Sequence, residues 1–383
     1  MIALYANVGP ELTHYDVNVA AATLTRRDTV TLPANVQYAW PHASRRYLYV
    51  ASSDTAPGAG PAGRTHHVSA FRIEPGAGAL TPHGAPCPLP HRPVHMATDI
   101  PSEHVLVAFN NPSGVRVYCI NSDATLGAEV TQRDAIDAGI FGHQVRATPD
   151  NRQVILVTRG FDAEADRAEQ PGALKVFDYR AGALSGETSI APNGGYGFGP
   201  RHLDFHPTKP WVYVSLERQN QLDLFTLDGG RLSSIAAFSK TTLAAPRVTG
   251  LRQLAGTVHV HPAGRFVYVA NRASDTVLAD GRRVFAGGEN SIAAYSIDAA
   301  TGQPTLIQHA DSHGIHPRTF HIDPTGRLMV VAHIMGLTLR DGTEVPARLS
   351  LFRVGDDGKL TFARAYDVDV GDRTMWWMGM VDV

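Results

Sequence analysis

One phrase of about ten residues recurs along the chain and constrains its fold more than any other feature. Its clearest copies are His206–Ser215, His261–Ala270 and Asp323–Ala332, with weaker copies at His42–Ala51, Ile100–Ala108 and Thr148–Thr158. Each copy opens on a tight turn, with Pro, Gly, Ser or Asn in most, and continues into a run of aromatic and β-branched residues. That is a hairpin turn followed by a strand. A strand also precedes the turn, as in Arg201–Phe205 and Arg318–Ile322, and an alternating strand, a turn and a Leu follow it, as in Ile292–Leu306 and Leu349–Phe362. Each unit therefore carries four strands. The ends of the second strands fall at Ala6, Ala51, Ala108, Thr158, Ser215, Ala270 and Ala332. Their spacing of roughly 45 to 62 residues is the period of a β-propeller blade.

The repeat predicts an all-β fold: a seven-bladed β-propeller of four-stranded antiparallel blades, in one domain spanning residues 1–383. A string of independent β domains is excluded, because one unit is too small to bury its own apolar faces. The first unit lacks its leading strand. Arg373–Val381 echoes Arg318–Ile322 and supplies the missing strand, so the two chain ends pair within one blade and close the ring. Closure removes the open sheet edges that invite aggregation. Trp376 and Trp377 are expected to pack at that closure.

Composition narrows the function. With 34 Lys+Arg against 36 Asp+Glu the net charge is −2, so binding nucleic acid by bulk phosphate neutralisation is not expected. Apolar runs are strand-sized, so no membrane span is expected. The N-terminus has no basic region followed by an apolar stretch, which points to a cytoplasmic protein. Two cysteines, Cys87 and Cys119, make neither a disulfide framework nor a metal cluster. No HExxH, Cys-x-x-Cys or EF-hand spacing and no Gly-x-Ser-x-Gly elbow occurs, so no metal and no cofactor are expected, and a serine hydrolase is not supported.

Propeller geometry turns the repeat into a site. Strand one lines the central channel and strand two runs antiparallel to it, so the start of one and the exit of the other meet at the same mouth. The starts are Gln37, His95, His143, Arg201, Gly256, Arg318 and Arg373; the exits include Asn7, Ser53, Asn110, Arg159, Glu217, Arg272 and His333. That ring is rich in Arg and His although the whole chain is slightly acidic. Planar Arg forks suit a carboxylate or a phosphate, and Glu217 is the one acid among them. His259 and His321 read as structural, and His206 and His261 as turn residues remote from the chemistry. The long insertions Gly160–Gly172, Pro192–Gly199, Ser274–Glu289 and Met335–Ala347 are expected to roof the funnel.

The segments Gly199–Pro207, Val212–Glu217 and Val269–Arg272, with Gly142-His143 upstream and His316–Gly326 downstream, resemble the seven-bladed propeller lactonases. That family includes propeller-type 6-phosphogluconolactonases and the fungal carboxy-cis,cis-muconate cyclase. The resemblance implies that His143, Arg201, Glu217 and Arg272 are the catalytic set. Asn271 and His316 lie in the same segments and join His95, Arg159, Arg318 and His333 as candidate substrate contacts. The expected activity is hydrolysis of an anionic or polyhydroxylated sugar-derived lactone, with 6-phosphogluconolactone as default. Arg201 and Arg272 would hold the anion and the developing oxyanion, and either Glu217 or His143 would act as base on water. Cycloisomerisation of a carboxylated muconate is the alternative, and a non-catalytic scaffold the third. A scaffold would splay these side chains into solvent. The oligomeric state is not readable.

Overall fold

The structure is a computed structural model describing residues 1–58, 60–245 and 250–383. Seven antiparallel sheets of at least four strands surround one axis. In blades two to seven the innermost strands are Asn35–Pro41, Pro93–Thr98, Gly142–Ala147, Pro200–Phe205, Leu254–Val260 and Pro317–Ile322. The second strands are Tyr47–Ser53, His104–Asn110, Gln153–Thr158, Trp211–Leu216, Phe266–Arg272 and Leu328–His333. Among the described residues the only helix is a short 3-10 turn, Pro192–Gly195.

Blade one is shared by the chain ends. Ile2–Val8 pairs with Glu11–Asn18 on one side and with Met378–Asp382 on the other. The expected closing strand is present, but it starts later than the sequence reading placed it. Met378 pairs with Ala6, as Thr319 pairs with Ala332, so the echo of Arg318 is Trp377 and not Arg373. Residues Arg373–Trp377 are irregular. Arg373 is exposed, its guanidinium 3.8 Å from Glu11, and takes no part in the channel mouth.

The core is not central. Seven apolar clusters of buried residues lie between neighbouring blades, each built mainly from the inner three strands of the facing blades. Burying one Val, Leu or Phe contributes about 1.5–3 kcal/mol, so these layers carry the fold. The repeat also encodes a tie between blades. Buried tyrosines of the second strands, Tyr5, Tyr49, Tyr213 and Tyr268, donate their hydroxyls to carbonyls in the outer hairpin of the next blade: Gly78 at 2.6 Å, Ala124 at 3.0 Å, Gly302 at 2.7 Å and Gly358 at 2.9 Å. A buried hydroxyl needs a partner, and each net bond adds on the order of 1 kcal/mol. His206 and His261 act alike. Nδ1 accepts from the backbone of its own turn, and Nε2 meets the carbonyl of Gly264 or Gly326 in the next blade's turn, both at 2.9 Å. They are the turn residues the sequence indicated, with the added task of joining blades.

Candidate active site

The side chains at the mouth are placed by a repeated backbone irregularity. In blade four, Gly142 pairs with Thr158 and Gln144 with Val157, leaving His143 unpaired. Arg201 is left out between Pro200 and His202, and Arg318 between Pro317 and Thr319. Blades two and three skip Gln37 and Val94 in the same way, and blade six skips Gly256 and Thr257. A β-bulge re-aims the extra residue, and here it turns His143, Arg201 and Arg318 into the channel mouth. Two residues just ahead of these bulges, Phe141 and His316, have φ of 60° and 56°, a costly conformation for side chains of this size.

The bulge residues and the strand-two exits enclose a cavity of about 740 Å³. His143, Arg159, Arg201, Glu217, Arg272, His316 and Arg318 all line it. These are all four expected catalytic residues and three of the six expected substrate contacts. Glu217 is 2% exposed and stands at the centre of the cations. Arg159 Nη1 lies 2.6 Å from its Oε2, Arg201 Nε lies 3.3 Å from Oε1, and Arg272 Nη2 donates to Oε1. Arg272 Nη1 also reaches His316 Nε2 at 3.2 Å, which fixes that nitrogen as acceptor and lets Nδ1–H donate to Ser274 Oγ at 2.9 Å. Arg159 lies over Phe141 and Arg318 over Trp376.

Three guanidiniums thus surround one carboxylate in a buried site, with Arg318 on the same cavity wall. Burial alone would raise the Glu217 carboxyl, but Arg159, Arg272 and Arg201 outweigh it and hold it well below the usual carboxylate range. Burial, together with Arg201 and Arg318, drives the His143 imidazole well below its ordinary value. His316 is driven down the same way by burial, Arg272 and Arg318. Both rings are neutral at pH 7. Arg201 is 0% exposed, and burial with Arg272 and Arg318 beside it pulls its pKa down strongly. Guanidinium nevertheless keeps its proton in proteins, so the strain is best relieved by a bound anion. The side chains converge and are buried, unlike the splayed arrangement a scaffold would show.

Three expected contacts lie elsewhere. His95 is 0% exposed and packs on Tyr38, ring centroids 4.0 Å apart, behind the cavity wall. The bulge in its blade falls on Val94, which lines the cavity instead, so the expected position is off by one residue. Asn271 is buried away from the cavity, donating to the Thr242 carbonyl beside the preceding blade at 2.6 Å and to Ser291 Oγ of its own blade at 3.1 Å. His333 is also fully buried and its Nδ1 meets the Arg348 carbonyl at 3.2 Å; its side chain packs under Gly314. Two of the four insertions contribute to the roof. Phe161, Asp162, Glu164 and Arg167 come from the first and Ser274 and Asp275 from the third. Pro192–Gly199 and Met335–Ala347 do not line the cavity; Leu337–Thr338 in the latter lies against the Arg282–Phe285 strand. Sequence reasoning missed Phe141 and misread Trp376, which lines the cavity rather than packing in the closure; Trp377 alone is core. As expected, His259 and His321 stay out of the cavity wall.

A family model described as "Lactonase, 7-bladed beta-propeller" matches residues 1–336. The chain belongs to this family. That membership makes it a lactone-hydrolysing enzyme by class. Among curated proteins it is 29% identical over 317 residues to the 6-phosphogluconolactonase of Pectobacterium carotovorum, covering 82% of each chain. It is 27% identical over 277 residues to that of Bacillus subtilis, covering 70% of each. Among solved structures it is similar to the periplasmic gluconolactonase of Pseudomonas aeruginosa, with TM-score 0.74, 20% identity and 100% and 99% of the two chains covered. A putative 6-phosphogluconolactonase of Bacteroides uniformis aligns with TM-score 0.71 at 20% identity over 99% of each chain. At that identity the structures speak for the fold. The family match ends ahead of the closing segment and does not include Trp376.

Proposed function

We propose that the protein hydrolyses an anionic sugar-derived lactone, with 6-phosphogluconolactone as the reference substrate, in the cavity at the channel mouth. The observation that carries this reading is the excess of buried guanidinium over carboxylate around Glu217, joined to a neutral imidazole on the same wall. The names of the curated relatives support the same substrate class.

The geometry favours His143 over Glu217 as the base. Both Glu217 oxygens are engaged by guanidiniums, so neither is free to take a proton from water. The His143 imidazole is neutral, and its buried Nδ1 has no partner. In this mechanism His143 takes a proton from water as the water oxygen attacks the lactone carbonyl. Arg201 stabilises the oxyanion that develops there. The ring C–O bond then breaks, and the departing ring oxygen takes the proton back from the imidazolium. The product ionises to a hydroxy-carboxylate and releases one proton to solvent. Glu217 does not itself transfer a proton. It holds Arg159, Arg201 and Arg272 in a fixed fork, so the donors are in place before the charge appears.

The test is acid release from a panel of aldonolactones by wild type, His143→Ala and Glu217→Gln. A rate no higher than spontaneous hydrolysis on every lactone would remove the proposal, and unchanged rates in both variants would remove the assigned roles.

A further inference from the structure

Apart from Arg167, paired with Glu164, and the exposed Arg252 at the rim, the cations of the cavity are of two kinds. Arg159 and Arg272 are neutralised directly by Glu217, and Arg201 Nε lies near it. Arg318 has no carboxylate partner among the described residues, and its buried Nε makes no hydrogen bond. What holds it is an aromatic plate. Its guanidinium carbon lies 3.5 Å from the ring centre of Trp376, the shortest of the cation–ring contacts in the described structure. Arg318 is 5% exposed, so this is a desolvated contact, the setting in which a cation on an indole face is worth most.

The indole is itself fixed. Met375 N donates to the Ile334 carbonyl at 3.1 Å, and Trp377 is gripped twice by Asn7, through its carbonyl at 3.1 Å and its N–H at 2.7 Å. The residues on either side of Trp376 are therefore pinned to two different blades. On the remaining side stands Gly58, with φ of +101°, where a Cβ would come within 3.0 Å of the indole edge. The segment that closes the propeller thus also builds a wall of its active site.

We propose that Trp376 is a positioning residue that presents Arg318 as an unneutralised cation, and that this pair forms the subsite for the anionic substituent of the substrate remote from the lactone carbonyl. The inference rests on the lactonase reading above and deepens it. A planar guanidinium with free N–H donors on a rigid ring fits a phosphate monoester or a carboxylate. Arg201, near Glu217 and on the same wall as His143, is left to the reacting carbonyl.

The experiment compares 6-phosphogluconolactone with uncharged gluconolactone in wild type, Arg318→Met, Arg318→Lys, Trp376→Leu and Trp376→Phe, with melting temperature as the check on folding. For the phosphorylated lactone, Arg318→Met and Trp376→Leu are expected to raise KM by about tenfold or more with kcat within about threefold. On the uncharged lactone KM should change far less than on the phosphorylated one. Trp376→Phe, which keeps a ring face, should restore most of the affinity, whereas a purely structural residue would weaken both substrates alike. Calorimetric binding of 6-phosphogluconate needs no turnover and separates this claim from the lactonase reading. Binding by wild type that weakens about tenfold in Arg318→Met supports the subsite even if no lactone is opened. No binding by wild type, equal affinity in Arg318→Met, or equal losses on both lactones would overturn it.

Discussion

Arg201 Nε lies 3.3 Å from Oε1 of Glu217, yet none of its three guanidinium nitrogens makes a hydrogen bond among the described residues. The two residues belong to one hairpin. Arg201 sits in the bulge of the inner strand, and Glu217 follows the second strand, its N–H bonded to the Gly199 carbonyl at 2.8 Å. The pair is close enough to share charge but not aligned to satisfy the cation. A buried guanidinium in that state is poised for an acceptor, such as the oxyanion of a reaction intermediate.

Glu217 therefore matters more as a counter-charge than as a base. Glu217→Gln leaves three buried cations without their carboxylate, a change that costs about 3–5 kcal/mol where a buried pair is broken. Thermal unfolding should show a clear drop in melting temperature, and kcat should fall with it. Wild-type stability with lost activity would show instead that the carboxylate acts in the chemical step.

His143→Ala should lower kcat by about 10²–10⁴-fold with little change in KM, the usual span for loss of a general base. Because burial, Arg201 and Arg318 hold the imidazole well below its ordinary value, the free base persists through neutral pH. The acid limb of kcat/KM should therefore fall well below pH 6.5. A limb centred at or above 6.5 would point to another group.

Buried imidazoles should make the fold acid-sensitive before its carboxylates titrate. Burial pushes His333 down to about 3 and the half-buried His321 down to about 4, from an ordinary 6.5. Between those values and 6.5 the unfolded chain binds the proton and the native chain does not, so stability is full above 6.5 and falls as pH drops. Each such group steepens the dependence by about 1.4 kcal/mol per pH unit. Urea unfolding at pH 7, 6, 5 and 4 should show this slope, reduced by about one group's worth in His333→Gln; an unchanged slope would exclude His333 as a contributor.

Gly142→Ala tests whether the bulge aims His143. A Cβ there would lie 2.6 Å from the Phe109 carbonyl oxygen, a backbone atom that yields little. The substitution should shift the start of the blade-four strand and lower kcat by about tenfold or more, since small misplacement of a catalytic group is costly. Full activity with a normal melting temperature would mean that the bulge tolerates the change.

Ring closure has its own test. Deleting Met378–Val383 strips Ile2–Val8 of its inner partner and exposes a long apolar strand edge. The truncated chain should aggregate or lose its single cooperative transition, whereas a soluble, cooperatively folding product would contradict closure by this strand.

The fold was legible because most blades repeat a turn followed by an aromatic and β-branched strand that must pair with its neighbours. Most of the site was legible because strand starts and exits share one end of the channel, and that placed His143, Arg159, Arg201, Glu217, Arg272 and Arg318 together. The misses have several sources. A bulge inserts a residue without breaking the alternation that sequence shows, so His95 was placed one residue out, and an irregular stretch ahead of the closing strand put Arg373 four residues out from the position Trp377 occupies. Asn271 lies one residue before the end of its second strand and His333 ends its own, but both are held in hydrogen bonds away from the cavity. Trp376 lies in an irregular segment with no repeat to align it, so its place on the cavity wall had no local signal.

The most direct measurement is proton release by wild type and Arg201→Met on 6-phosphogluconolactone and on uncharged gluconolactone at neutral pH. The account predicts turnover well above the spontaneous rate, a preference of about tenfold or more for the phosphorylated lactone, and a fall of about 10²-fold or more in kcat in the variant. Hydrolysis no faster than in buffer on both lactones, or full kcat in Arg201→Met, would contradict it.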